Sequence, residues 1–412
     1  MKMSFRKSLC ALACASSLFL VACGSSDDDA QYVSYNTYVD QKTYNKDTVP
    51  NAESTQIMTY KMPGVAGGTV NTTALVMFPK MSMPTGGWRV VVWDHGTVGL
   101  GDSCAPSENT LQTNVKGLAE ALLAAGYVIV APDYEGLGSK GIHPYLNLSS
   151  AAQSGIYAVK AVKEYYGSKI NGAWMTVGQS QGGHAALATG EYAKTDASYK
   201  GTVAAAPASS LGYIIGTIAP VALDNLYKAE QVGVYPSGST ARVYAGLLAY
   251  AAYVAVGIKS YEPNFNYQDI FHPRSYLVAQ LAEGSTGENG QCLTPMVQAF
   301  MQDIQQYIQE NPTKGVTQYP GLVANFENHA SVKKFLALNQ PATQKIEKPV
   351  LVIQGKEDLA IPYQVTQGLV AQLKAMGTDV HLELVEDAGH TEAIVMKRAE
   401  LLQFIKTHMP AQ

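Results

Sequence analysis

The sequence predicts an α/β protein in which a mostly parallel central sheet carries helices on both faces. Apolar, β-branched runs recur along the chain, and helical patterns lie between several of them. The runs are continuously apolar rather than alternating, which is typical of strands that are covered on both faces in a parallel sheet. Strands that alternate with helices in this way indicate right-handed βαβ crossovers.

Each element follows from a local pattern. Two segments are predicted as helices, 109–126 and 149–167, because each ends on glycine, the residue favoured just after a helix. A third helix is predicted directly after Ser180. Six apolar runs bounded by turn residues are predicted as strands: 88–96, 126–133, 173–180, 201–208, 348–355 and 380–387.

The alternation stops between residues 209 and 343, where the chain becomes rich in tyrosine and helical in pattern. One segment there, 243–258, is apolar enough to raise the alternative of a membrane span. It is only 16 residues long, and its alanines and tyrosines make it weakly hydrophobic. The pattern therefore predicts a helical cap over 209–343, inserted into a core formed by 55–208 and 344–412.

The N-terminus has the pattern of an export signal. Residues 1–22 combine a basic start with a short apolar stretch, which predicts a cleaved signal peptide. The sequence "LVAC", ending at Cys23, resembles the lipobox of bacterial lipoproteins; a plain secretory signal is the alternative. Residues 23–54 are then a lipidated tether and N-terminal segment. We expect an exported protein of the bacterial envelope, anchored in the outer membrane by a lipid on Cys23, or secreted.

Charge argues against a nucleic-acid partner. The full chain has a formal net charge of −4, and loss of residues 1–22 removes three basic residues and no acid, which leaves −7. A mildly acidic protein without runs of lysine or arginine has no electrostatic footprint for a phosphate backbone. We therefore expect no nucleic-acid binding.

The five cysteines predict a disulfide. Cys10 and Cys14 leave with the signal peptide, and Cys23 takes the lipid. Only Cys104 and Cys292 remain in an oxidising compartment, so we expect them to pair. No cysteine or histidine spacing typical of zinc is present, and no phosphate-binding GxxxxGK[ST] motif, so neither a metal nor a cofactor is expected.

A serine in the sequence "GQSQG" is the candidate nucleophile. Ser180 follows a predicted buried strand and precedes a predicted helix, which is the context of a nucleophile elbow. The turn is sharp, and a Cβ at Gly178 or Gly182 would collide with neighbouring chain. The alternative is an ordinary helix cap. The strand before the serine and the helix after it favour the nucleophile.

A serine hydroxyl needs a base to take its proton and an acid to orient that base. In this α/β architecture the acid and the histidine follow the serine along the chain. Asp358 comes just after the strand candidate 348–355, and His390 stands in a Gly-His turn after the last strand candidate. We predict that Ser180, Asp358 and His390 form a triad. The other candidates for the acid are Glu357, Glu386 and Asp387.

The negative charge that develops on the substrate oxygen requires two backbone N–H donors. We predict that one is Gln181, the residue after the serine. The other comes from the loop after the first strand candidate, where Gly96 lets the backbone approach and the N–H of Thr97 is the expected donor. His95 in that loop is interpreted as a structural hydrogen-bond partner rather than a catalytic group.

Several ordered motifs together resemble the α/β-hydrolase superfamily and, within it, the secretory lipases typified by the yeast lipase A enzymes. The motifs are "DHGT", "GYVIVAPDYEGLGS", "HPYL" at 143–146, "GQSQGGHAA", "GKEDLAIP" and "AGH". The resemblance extends from about residue 55 to the end and is weakest across 209–343. It implies hydrolysis of carboxylic esters, including acylglycerols, under a helical cap. The family triad falls on Ser180, Asp358 and His390.

The sequence thus predicts a serine hydrolase acting on small-molecule or lipid esters. Two alternatives stay open at this stage. One is a serine peptidase of the same fold, since fold alone does not fix the reaction. The other is a non-catalytic lipoprotein that binds hydrophobic ligands, although such a protein needs no triad. The leader resembling a lipoprotein signal departs from the yeast enzymes, and nothing in the sequence indicates the oligomeric state.

Overall fold

The computed structural model describes residues 36–411, so the predicted signal peptide and Cys23 lie outside the described residues. A single sheet of nine strands forms the centre of this part of the chain. The strands are β1 (Tyr38–Thr43), β2 (Ala52–Pro63), β3 (Thr69–Pro79), β4 (Trp88–Asp94), β5 (Tyr127–Pro132), β6 (Ile170–Gln179), β7 (Tyr199–Ala205), β8 (Val350–Gly355) and β9 (Val380–Val385).

The spatial order of the strands is β1-β2-β3-β5-β4-β6-β7-β8-β9. The pairs from β5 to β9 are all parallel, whereas β1, β2 and β3 are joined to each other and to β5 in antiparallel fashion. All six strands predicted from apolar runs are present as β4 to β9. The prediction of an α/β fold with a mostly parallel sheet is confirmed.

The antiparallel strands β1 to β3 were not predicted from the sequence. In β1 only the first residue is buried, and β2 mixes buried with half-exposed positions, so neither strand is a continuous apolar run. An edge strand with one open face carries little apolar signal. The sheet therefore begins at Tyr38, upstream of the core boundary that the sequence suggested at residue 55.

Helices cover both faces of the sheet. Buried side chains of α1, α11 and α12 pack against one face, and those of α2, α3 and α10 pack against the other. These apolar layers exclude water from both sides of the parallel strands. The helices are α1 (Thr113–Ala124), α2 (Leu148–Tyr166), α3 (Gln181–Tyr192), α10 (Tyr363–Ala375), α11 (Glu392–Met396) and α12 (Arg398–His408).

The chain between β7 and β8 is helical. It contains α4 (Leu211–Tyr213), a π-helical turn (Ile214–Ile218), α5 (Ala219–Gln231), α6 (Ser239–Lys259), α7 (Pro273–Ala279), α8 (Leu293–Glu310) and α9 (Ala330–Leu338). We call this segment the cap. Its interior is formed by large apolar side chains such as Tyr253, Phe271 and Phe300, all of which are fully buried.

Helix α6 contains the apolar segment 243–258, for which the sequence leaves a membrane span as the alternative. Within the described part of the chain it is the one helix long and apolar enough to cross a membrane by length and composition, with a mean hydropathy of 1.5. However, 61% of its most apolar window is buried inside the protein. Leu248, Tyr253 and Val256 of α6 belong to the apolar interior of the cap, as a buried cap helix requires.

A disulfide joins the cap to the core. Cys104 ends a short 3₁₀ turn after β4, and Cys292 immediately precedes α8. The two residues are 188 positions apart in sequence, and their Cα atoms are 5.4 Å apart. This is the pair that the cysteine count predicts. Next to it, the N–H of Leu293 donates to the carbonyl of Val98 at 2.8 Å, so backbone contacts reinforce the link.

Candidate active site

Ser180 lies in a strained turn between β6 and α3. Its backbone dihedrals are φ 60° and ψ −117°, a conformation that non-glycine residues rarely adopt. A Cβ at Gly178 would lie 2.0 Å from the carbonyl oxygen of Gly182, and one at Gly182 would lie 1.9 Å from the carbonyl oxygen of Asp94. Both glycines are therefore required by close backbone approach, as the GQSQG pattern indicates.

The position of Ser180 follows from the strand order. Strand β5 lies on one side of β4, and the next strand in the chain, β6, lies on the other side. The direction in which strands are added therefore reverses at β4, and the carboxyl ends of β4 and β6 flank this point. Crevices in open parallel sheets form outside the carboxyl ends of the strands at such points. The Ser180 turn follows β6, and the loop containing Thr97 follows β4, so the two meet there.

The structure brings Ser180, His390 and Asp358 together. The Nε2 atom of His390 is 2.8 Å from the Ser180 Oγ, and its Nδ1 atom is 2.8 Å from the Asp358 Oδ2. These residues come from three separate parts of the chain, after β6, β8 and β9. The amide of Gln179 also donates to the His390 carbonyl at 2.9 Å, which fixes the histidine turn against the serine turn.

Asp358 is held as a carboxylate. Its side chain is fully buried, and burial raises its pKa, but the hydrogen bond and charge interaction with His390 and the bonds from Ile361 and Gln354 outweigh that effect and hold the pKa below its usual value. An ionised carboxylate can only accept hydrogen bonds, so the Nδ1 of His390 is the donor. The Nε2 of a neutral His390 then carries the lone pair that faces Ser180.

The three rival acids are placed elsewhere. Glu386 forms an ion pair with Lys356, and Asp387 occupies a left-handed turn at φ 51°. Glu357 donates its backbone N–H to the carbonyl of Ala388. Among the hydrogen bonds of residues 36–411, Asp358 alone of the four acids contacts the His390 ring.

The loop after β4 passes beside Ser180. A Cβ at Gly96 would lie 3.8 Å from the Ser180 Cβ and 3.0 Å from the Gln179 Oε1, so glycine permits this approach. Thr97 follows in the loop, and its hydroxyl is 2.7 Å from the Tyr145 hydroxyl. His95 is buried with its Nδ1 2.6 Å from the Gly96 carbonyl, the structural role that the sequence suggested.

A buried histidine fixes the residue after the nucleophile. The Nδ1 of His143 donates to the Glu135 carbonyl at 2.7 Å, so its Nε2 accepts from the Gln181 amide at 3.0 Å. Burial lowers the His143 pKa to about 3, with a further contribution from nearby His95, and the bond to Glu135 opposes it. His143 is therefore neutral. The "HPYL" motif contains this histidine, but nothing in the motif itself indicates its role.

Two cavities meet at the triad, and Ser180, His390 and Tyr250 line both. The larger cavity, about 430 Å³, extends between the sheet and α1 and is also lined by Thr97 and the disulfide. The smaller cavity, about 90 Å³, lies under the cap. Its walls are mostly aliphatic and aromatic and include Ile214, Leu247, Val254, Leu322 and Phe335.

Metal-binding groups are a separate question, because some hydrolases use a metal in place of a triad. Within residues 36–411, no group of three or more His, Cys, Asp or Glu side chains is arranged to hold a metal ion. What the site does contain is a hydroxyl, an imidazole and a carboxylate in hydrogen-bonded series, which is the arrangement needed to make a serine nucleophilic.

The family follows from comparison with known proteins. The model of the alpha/beta hydrolase family matches residues 91–403, which is most of the chain and includes all three triad positions. The chain belongs to the alpha/beta hydrolase family. No curated protein matches this alpha/beta hydrolase by sequence at a significant level.

Solved structures resemble this alpha/beta hydrolase over about nine-tenths of its length. The closed state of Candida antarctica lipase A superposes with a TM-score of 0.63 at 17% identity, covering 92% of this chain and 85% of the lipase. A ligand-bound form of the rice cell wall degrading esterase LipA from Xanthomonas oryzae gives a TM-score of 0.61 at 19% identity, with coverage of 90% and 97%.

A protein of Legionella pneumophila described as a hydrolase gives a TM-score of 0.63 at 18% identity, with coverage of 90% of this chain and 98% of that one. Identities this low establish the shared fold alone.

Proposed function

We propose that this protein is a serine esterase that hydrolyses carboxylic esters through an acyl-enzyme. One observation carries the proposal: His390 bonds Ser180 through one ring nitrogen and buried, ionised Asp358 through the other, both at 2.8 Å. This arrangement makes a serine nucleophilic and has no evident purpose in a protein that only binds a ligand.

In the proposed reaction, the Ser180 Oγ attacks the ester carbonyl while His390 Nε2 takes the hydroxyl proton. Asp358 holds the other ring N–H and stabilises the imidazolium that forms. His390 then donates the proton to the departing alcohol oxygen, which leaves an ester between Ser180 and the acyl group. Water, deprotonated by the same nitrogen, attacks this acyl-enzyme and releases the acid.

Gln181 and Thr97 are the proposed donors to the tetrahedral oxyanion. The N–H of Gln181 is at the first position of α3, where helical N–H groups have no partner within the helix and favour negative charge. Two observations support the pair: Gly96 brings the neighbouring loop close to Ser180, and His143 immobilises the Gln181 side chain. Donors fixed before the reaction require no reorganisation when the charge develops.

An ester has two substituents on either side of the reacting carbon, and the two cavities that meet at Ser180 can take one each. The small cavity under the cap suits an apolar group, since its walls are mostly aliphatic and aromatic. The larger cavity has the volume of an ordinary ligand site. We propose lipid or small-molecule esters as the substrate class on this basis.

The decisive experiment is turnover of p-nitrophenyl esters of increasing acyl length by the wild type and by Ser180→Ala. We expect loss of several orders of magnitude in kcat for the variant, and wild-type labelling by a fluorophosphonate that Ser180→Ala does not show. Ser209→Ala is the control, because Ser209 is a buried serine whose hydroxyl has no hydrogen-bond partner within residues 36–411. An active Ser180→Ala protein would contradict the proposal.

The same assay separates the alternatives left open by the sequence. Cleavage of peptide p-nitroanilides, with little activity on esters, would indicate a serine peptidase. Binding of fluorescent fatty acids without turnover or fluorophosphonate labelling would indicate a non-catalytic ligand carrier. Preference for esters would reject both.

We also propose that the protein is exported and anchored by a lipid on Cys23. The leader pattern supports this proposal, and so does the Cys104–Cys292 disulfide, since disulfides persist in oxidising compartments. Cys23→Ala expressed in a bacterial host should lose incorporation of radiolabelled palmitate and move from the membrane to the soluble fraction. Equal membrane association of the wild type and the variant would refute the anchor.

A further inference from the structure

Arg398 is the one lysine, arginine, aspartate or glutamate among the residues that line the larger cavity. Arg398, the first residue of α12, lies in its wall close to Val395 and α1. The remaining lining is aliphatic, aromatic, hydroxyl or amide, and no aspartate or glutamate lines this cavity. A single positive charge in an apolar wall attracts an anion more strongly than it would in bulk water.

The Arg398 guanidinium has free donors. Its Nη1 donates to the Gly117 carbonyl of α1 at 3.0 Å, which anchors the side chain against that helix. A Cβ at Gly117 would lie 2.9 Å from this nitrogen, so glycine leaves the guanidinium room there. Within residues 36–411 no carboxylate pairs with Arg398 and no acceptor takes a hydrogen bond from its Nε or Nη2.

The nearby acids are engaged by a different cation. Glu383 and Glu400 both form ion pairs with Lys397, at 3.2 and 2.8 Å, although Lys397 is adjacent to Arg398 in the chain. Arg398 is half-buried and thus left as an unpaired, planar donor at the wall of the cavity that contains Ser180. Such a fork matches the two oxygens of a carboxylate.

We infer that Arg398 selects esters that carry a carboxylate on the substituent occupying the larger cavity. The inference rests on the proposed esterase function and specifies its substrate class. The carboxylate belongs to the acyl half in a monoester of a dicarboxylic acid and to the alcohol half in an ester of a hydroxy acid. Arg398 recognises the same group in both, and it takes no part in the bond-breaking steps.

Two series of matched esters test this inference. The acyl series is mono-p-nitrophenyl esters of dicarboxylic acids of increasing length, and the alcohol series is acetate esters of hydroxy acids of increasing length. Each anionic ester is paired with its neutral primary carboxamide. We expect wild-type kcat/KM to favour the anionic member by about ten- to hundredfold in one series, at the length that reaches Arg398.

Arg398→Gln should bring that ratio close to one, while Arg398→Lys should retain part of the preference. Arg242→Gln is the matched control. Arg242 is an exposed arginine of α6 that lines neither cavity, and its substitution removes the same charge. The wild-type preference should persist in this control and should weaken with added salt.

Two results would overturn the inference: no anionic preference in either series at any length, or a preference that Arg398→Gln leaves intact. If neither neutral nor anionic esters are hydrolysed, the esterase proposal itself fails. Fluorophosphonate labelling of Ser180 and an unfolding temperature like that of the wild type will show that Arg398→Gln is folded, so a change in the ratio cannot reflect general damage.

Discussion

Gly182 and Asp94 are in backbone contact beneath the Ser180 turn: a Cβ at Gly182 would lie 1.9 Å from the Asp94 carbonyl oxygen. The end of β4 and the start of α3 thus approach as closely as a residue without a side chain allows. No rotamer can relieve such a clash, because both atoms belong to or adjoin the main chain.

Gly182→Ala should therefore displace the turn that presents Ser180. We expect a loss of at least a few kcal/mol in the free energy of unfolding, together with loss of esterase activity, measured by thermal unfolding and turnover. Gly368→Ala is the control, since Gly368 lies in α10 with nothing within 4 Å of its Cβ position. That variant should gain about 0.5–1 kcal/mol. Wild-type unfolding and activity in Gly182→Ala would show that the turn tolerates a side chain.

Asp358→Asn tests the orienting role of the buried carboxylate. The amide can present an N–H to Nδ1 of His390, and the ring proton then moves to Nε2, which can no longer accept from Ser180. We expect kcat to fall by about 10⁴, as in other triad enzymes, with KM little changed. Glu357→Gln, the adjacent acid in the chain, should keep wild-type kinetics. A fall of less than tenfold in Asp358→Asn would assign the acid elsewhere.

Asp94 should make stability fall as pH rises. Burial raises its pKa to about 7, with the hydrogen bond from Thr176 opposing the shift, whereas an unfolded aspartate titrates near its ordinary value of 3.8. Between these values the folded state retains a proton that the unfolded chain has lost. The contribution of Asp94 to the free energy of unfolding is therefore greatest below about pH 4 and declines up to about pH 7.

Asp94→Asn removes this titration. Urea unfolding at pH 5 and pH 8 should show that the variant gains stability relative to the wild type at the higher pH, by an amount on the order of 2–3 kcal/mol. Asp224→Asn in the cap, where the carboxylate is exposed and paired with Lys228, provides the control. The same wild-type-to-variant difference at both pH values would mean that Asp94 is ionised throughout.

Removal of the Cys104–Cys292 disulfide should weaken both the fold and the site. In the chain-entropy model, closing a loop of 188 residues contributes about 4–5 kcal/mol. The link also holds the loop of Thr97, through the bond between Val98 and Leu293. We expect Cys104→Ser/Cys292→Ser to unfold at a lower temperature and to show a reduced kcat. Reductant should shift the wild type toward the variant and leave the variant unchanged; an identical wild-type response with and without reductant would contradict this.

The sequence predicted the parts of the fold that leave a one-dimensional signal. Strands β4 to β9 are continuous apolar runs, and the order of serine, acid and histidine along them was enough to select Ser180, Asp358 and His390. Strands β1 and β2 gave no such signal, because their exposed positions interrupt the apolar pattern. Strand β3 does end in an apolar run, at 74–79, but its first half is mostly polar.

Other features depend on distance in space rather than on pattern. The bond from Gln181 to His143 joins residues 38 positions apart, and nothing local to either residue indicates it. The isolation of Arg398 is a property of its surroundings. Glu400 is two positions away in sequence and Glu383 lies on β9, and only the structure shows that Lys397 pairs with both. The two cavities likewise emerge only when cap and core are seen together.

The hydrogen bond between Ser180 and His390 spans 210 residues, and the whole cap lies between them in sequence. A chain emerging from the ribosome or crossing a membrane can therefore form the serine turn and much of the sheet without possessing a base. Ser180 gains its base and its orienting acid only once β8 and β9 have joined the sheet, because Asp358 and His390 follow these two strands. On the proposed function, a chain whose last two strands have not yet folded is inert toward esters, and its first turnover reports that folding is complete.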